Sequence, residues 1–149
     1  MRIESSYGEV MPVSSNKPIH GTSPYYMLAL VQPALRSILD DLKASSDMLL
    51  VLCITVEEFM RLSKEAQYSA VLLPADNIAS HQWCSLWGVV SLLNPRPSIL
   101  VYTLERDSRI WASVLAAGGF DVITAPFTHE KVMLALQSAE DHFHRKFTL

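Results

Sequence analysis

Short apolar runs alternate with amphipathic stretches through most of this chain. Tyr26–Val31, Met48–Ile54, Ser69–Leu73, Ser98–Thr103 and Phe120–Thr124 are five runs rich in Leu, Val and Ile. Their length and composition predict β-strands. Met48–Ile54 is continuously apolar, which predicts a parallel strand covered on both faces. Between the runs the apolar period changes to that of a helix. Leu35, Ile38, Leu39 and Leu42 fall at i, i+3, i+4 and i+7, as do Trp83, Leu86, Trp87 and Val90. Val56, Phe59 and Met60 mark a second helix, Ile110, Val114 and Leu115 a fourth. Val132, Ala135, Leu136, Ala139 and Phe143 mark a last one.

Punctuation agrees with the period. Pro33 suits the first turn of the first helix. Thr55 with Glu58 forms a capping-box pattern, and Asp107 and Thr128 are candidate N-caps. Pro95 and Pro97 end the third helix, and Gly118-Gly119 close the fourth. Asp76-Asn77 reads as a turn. Five β-α units in strict alternation predict a three-layer α/β sandwich: a doubly wound parallel sheet with helices on both faces. Such a sheet places its crevice at the carboxyl ends of the strands. The informative positions are therefore Gln32, Thr55, Pro74, Thr103 and Ala125.

Residues 1–23 have no apolar period and are rich in Ser, Pro and Gly. They are expected to form a flexible arm before a domain at residues 24–146. The 149 residues are 50% hydrophobic and 18% charged, with a formal net charge of −3. That balance, with Lys and Arg scattered singly, argues against nucleic acid as a partner. The longest apolar runs are too short to span a bilayer, and the polar N-terminus lacks a signal-peptide core. No membrane partner and a cytoplasmic location are expected. Cys53 and Cys84 are widely separated and are expected to be two buried, reduced thiols. His142 and His144 are alternate residues on a helix and make a poor metal pair. No phosphate-binding glycine loop and no nucleophile-elbow pattern is present. No metal or cofactor is expected, and no enzymatic activity.

Ala117–Phe127 (AGGFDVITAPF) resembles the "aGAddYltKPF" signature of the receiver domains of bacterial response regulators. Val101-Tyr102-Thr103 is similar to the end of that family's fourth strand, and Pro33–Arg36 (PALR) to the opening of its first helix. The likeness covers about residues 25–145. It implies a flavodoxin-like (βα)5 fold and a role in phosphorelay signal transduction of two-component systems. It also implies a pocket built from a phosphoacceptor Asp, an acidic pair that holds Mg²⁺, a Thr, and a Lys before a cis-proline.

This chain departs from that pattern. Gln32-Pro33 stand where the acidic pair belongs, Pro74 where the nucleophile belongs, and Ala125 where the Lys belongs. Only Thr103 and Pro126 match, and Val122 replaces the family's aromatic. Phosphoryl transfer depends on charge stabilisation, so the expectation is a degenerate pseudo-receiver. It would act as a stand-alone interaction module, because no output domain follows the fifth helix. The resemblance implies a protein partner or homodimer on the face of the fourth helix, fifth strand and fifth helix. There Trp111, off the inward stripe and partly exposed, is the expected anchor. Two rivals remain: a phosphorelay receiver that uses Asp76, and a small-molecule-binding flavodoxin-like domain.

Overall fold

A computed structural model describes residues 25–146; the expected N-terminal arm lies outside them. The order is β1 (Tyr26–Leu30), α1 (Pro33–Ser45), β2 (Leu50–Cys53), α2 (Val56–Ser63), β3 (Tyr68–Pro74), α3 (Ser80–Ser91), β4 (Ser98–Thr103), α4 (Ser108–Ala116), β5 (Asp121–Thr124) and α5 (His129–Arg145). The five strands form one parallel sheet in the order β2-β1-β3-β4-β5. This is the flavodoxin-like α/β architecture that the alternation predicts.

The two-residue period of each strand sorts side chains between two cores. Met27, Ala29 and Val31 point to one face, with Leu72, Leu100 and Tyr102, under α1 and α5. Leu28 and Leu30 point to the other, with Val71, Leu73 and Ile99, under α2 and α3. Four helices turn an apolar stripe inward: Leu35, Ile38, Leu39 and Leu42 on α1, Phe59 on α2, Leu86 and Val90 on α3, Val132, Leu136, Ala139 and Phe143 on α5. Of the expected stripe on α4 only Val114 is buried, with Ile110 and Leu115 half-buried. A fully buried Phe such as Phe59 or Phe143 contributes about 1.5–3 kcal/mol through removal from water.

The caps lie where the sequence places them. The Thr55, Asp107 and Thr128 side chains accept hydrogen bonds from the N–H groups of Glu58, Arg109 and Lys131. Gly118 has φ +96°, a left-handed conformation that only Gly adopts freely, and it closes α4. Gly119 has a packing reason instead: a Cβ there would lie 2.5 Å from Val114 Cγ1 and 3.1 Å from the Trp87 ring. Asn77, with φ +55°, turns the chain out of β3.

β2 is parallel and covered on both faces as expected: Leu50 and Leu52 pack into the core under α1 and α5, Val51 and Cys53 into the core under α2 and α3. Its place at the sheet edge leaves Val51 and Leu52 half-buried. One expectation fails: Cys84 is exposed, and only Cys53 is buried. The reason is angular: Cys84 lies on α3 beside the Trp83–Trp87 stripe, off the Leu86–Val90 line that meets the sheet.

Candidate functional site

Strand order reverses between β1 and β3, since β2 lies on one side of β1 and β3 to β5 on the other. That is the topological switch point, where the crevice of such a sheet opens. Gln32 leaves β1 on one lip and Ala75-Asp76 leave β3 on the other. The two lips are joined, because Gln32 Nε2 donates to the Asp76 carbonyl at 2.8 Å.

Asp76 is the centre of this edge. One carboxylate oxygen accepts from the Thr103 hydroxyl at 2.9 Å, the other from the Leu104 N–H at 2.6 Å. Thr103 is fully buried at the end of β4, and its hydroxyl oxygen in turn accepts from the Glu105 N–H. The carboxylate thus ties the loop after β3 to the loop after β4. Hydrogen bonds to a charged acceptor contribute about 1.5–3 kcal/mol each.

Beneath it lies Tyr102, 2% exposed. Its hydroxyl donates to the Leu30 carbonyl at 2.7 Å and accepts from the Gln32 N–H at 3.0 Å. Its phenol fills the space between β1 and β4 at the crevice floor. Burial pushes its pKa far up, the Gln32 N–H lowers it in part, and the Asp76 charge adds to the rise.

Gln32, Asp76 and Thr103 therefore come together. Pro74 is buried at the end of β3, opposite Tyr102, and offers neither donor nor nucleophile. Pro33 is exposed and serves as the first residue of α1. Ala125 pairs its N–H with the Thr103 carbonyl, and the Ala125–Pro126 peptide is cis, as expected from the resemblance. Trp111 and Val122 lie apart from the crevice, on a groove of about 450 Å³ that Arg106 and Lys131 also line. Trp111 is 49% exposed, and its indole N–H donates to Asp121.

Sequence reasoning missed three contributors. Tyr102 is one; a phenol within an aliphatic strand was the available signal. Arg106 donates to the Ala125 carbonyl, and the Lys131 ammonium donates to the Thr124 and Pro126 carbonyls. Both cations are spent on the backbone around the cis peptide.

The donor set does not fit the divalent cation that the resemblance implies. A hard cation needs several anionic oxygens. Gln32 and Pro33 supply none, and Asp76 already accepts two hydrogen bonds. Among the described residues, no group of three or more His, Cys, Asp or Glu could hold a metal ion, and no helix is long and apolar enough to cross a membrane.

No family model matches the chain, and no curated protein matches it. Solved structures do. A signal receiver domain of an HD domain-containing protein from Pseudomonas fluorescens superposes with a TM-score of 0.67 at 18% identity, covering 82% of this chain and 98% of that one. The chemotaxis protein CheY4 of Vibrio cholerae gives 0.67 at 14% identity, over 78% and 99%. An orphan response regulator of H. pylori gives 0.63 at 15% identity, over 80% and 98%. The fold is that of response-regulator receiver domains.

Proposed function

We propose that this chain is a pseudo-receiver: a protein-interaction module of two-component-type signalling, not an enzyme, that works without aspartyl phosphorylation in a bacterial cytoplasm. One observation carries the reading. At the switch point the polar groups are bonded to one another through Asp76, Thr103, Gln32 and Tyr102, and the resemblance puts Pro74 where a nucleophile would stand. A site so arranged is a brace. The domain would comprise residues 24–146, with residues 1–23 as an appended arm. Its partner, a protein or a second copy, would use the face of α4, β5 and α5, with Trp111 and Val122 at its centre.

A second reading has one observation in its favour: Asp76 is a carboxylate at the correct edge of the sheet, 2.9 Å from Thr103. Intact mass after incubation with Mg²⁺ and acetyl phosphate separates the two. No added phosphoryl group is expected. A gain of one phosphoryl group that Asp76→Asn abolishes would establish an atypical receiver and end the pseudo-receiver reading.

A further inference from the structure

A groove runs between α3 and α4, beside the strand-end brace. Its inner part, about 420 Å³, is lined by Trp83, Trp87, Gly88, Val114 and Ala117, with Cys84 at the edge. Its outer part, about 610 Å³, shares Trp83, Cys84, Ser113 and Val114 and continues to Ser80, Asp107 and Arg109. Both volumes are ordinary for small-molecule sites, which are mostly apolar with a few polar groups.

Gly88 is the informative residue. It lies inside α3, where glycine weakens a helix. A Cβ there would meet nothing within 4 Å, so close packing does not require a glycine. Its φ is not in the left-handed range either, because Gly118 alone among the described glycines has a positive φ. Gly119, by contrast, is required by Val114 and Trp87. What the missing side chain at Gly88 does is leave the groove open along the Trp83–Trp87 pair, whose rings are 5.6 Å apart and tilted by 36°.

The charges in the groove select the ligand. Asp107 and Arg109 are joined through contacts of 2.9 Å and 3.2 Å and neutralise each other. A charged guest would give up hydration without gaining an uncompensated partner. The Ser80 and Ser113 hydroxyls suit a polar but neutral group. We infer that the α3–α4 groove binds an uncharged planar aromatic molecule, its ring beside Gly88 against the two tryptophans and its polar group toward Ser113 and Ser80. The inference does not depend on the pseudo-receiver reading. Ala75 lines the groove and precedes Asp76, so an occupant would border the brace.

Cys84 supplies the assay. It is exposed at the edge of the groove, whereas Cys53 is buried and its thiol is pushed up to about 12, so iodoacetamide should mark Cys84 alone. With 2-naphthol at twice its Kd, alkylation of Cys84 followed by intact mass is expected to slow about threefold by mass action. 2-Naphthalenesulfonate is expected to protect at least about tenfold more weakly in concentration, given the cost of burying an unpaired charge. Gly88→Leu should fill the groove and abolish protection while the thermal transition is retained. Ser113→Leu, at an exposed position on α4, does the same from the opposite wall should Gly88→Leu fail to fold. Lack of saturable protection by 2-naphthol, or protection that survives both substitutions, overturns the site. Equal protection by the sulfonate overturns the uncharged class. A rate that falls with protein concentration alone, and no longer does so in Gly88→Leu, means that a second copy occupies the groove, and the small-molecule site falls.

Discussion

Tyr102→Phe removes one oxygen atom and tests the brace at its floor. The phenol is 2% exposed and serves two backbone groups, the Leu30 carbonyl at 2.7 Å and the Gln32 N–H at 3.0 Å. The ring itself stays, so the loss is polar with almost no change in packing. An unsatisfied buried group costs about 1–3 kcal/mol. Gln32 is only half-buried, so water can recover part of its N–H. A destabilisation of about 2 kcal/mol follows, equivalent to roughly 6–12 °C in Tm for a domain of this size. Urea denaturation followed by far-ultraviolet circular dichroism measures it, with an unchanged m-value as the sign that the fold persists. The amide of Gln32 should also exchange faster in the variant, since its acceptor is gone. A change in stability below about 0.5 kcal/mol, within the range of ordinary surface substitutions, would refute the hydroxyl as a structural link between β1 and β4.

Gly119→Ala should destabilise by about 2 kcal/mol or more, since its Cβ would press on both the side chain and the carbonyl of Val114; Gly88→Ala should be neutral or stabilise by up to about 1 kcal/mol. The same urea titration reads both, and equal effects would show that the two glycines have the same role. Burial, with a smaller contribution from the Glu58 charge, raises the Cys53 thiol from 9.0 to about 12. The folded state therefore favours the neutral thiol, so this contribution to stability is complete below pH 9 and is lost as pH rises from 9 to about 12. In Cys53→Ala the slope of unfolding free energy against pH in that window should be shallower by up to about 1.4 kcal/mol per pH unit, leaving the part due to Tyr68 and Tyr102; an unchanged slope would refute it. Trp111→Ala should shift stability by no more than about 0.5 kcal/mol but weaken self-association or partner binding at least tenfold. Sedimentation velocity that is unchanged, together with intact partner binding, would remove Trp111 from the interface.

Much of the fold was legible because hydrophobic periodicity is a local signal, and each strand and helix here carries its own. The end of β3 at Pro74, the cap at Thr128 and the stop at Gly118-Gly119 could all be read from neighbouring residues. What local pattern cannot carry is position within the sheet. The apolar run of β2 marks a strand covered on both faces, which it is, but its place at the edge is decided by where the later strands pair. The site divides in the same way. Strand ends identify Gln32 and Thr103, and Asp76 reads as a turn residue and rival phosphoacceptor, but their bonds join residues 27 to 44 apart in sequence. Tyr102 was overlooked because its value lies in partners 70 and 72 residues away. Cys84 was placed inside on residue type alone, although helical spacing already set it off the Leu86–Val90 line.

The Asp76 carboxylate, bonded at both oxygens, has a consequence for how such a domain carries information. A device that reports by moving a loop needs two arrangements of nearly equal free energy. Here the loops after β1, β3 and β4 are stitched into one piece, so any second arrangement must first break bonds to a charged acceptor. On the pseudo-receiver reading the domain keeps that one arrangement, and nothing about its shape encodes a message. On the reading proposed here the cell would adjust its output through the number of copies made and the surfaces those copies cover, by dosage rather than by state.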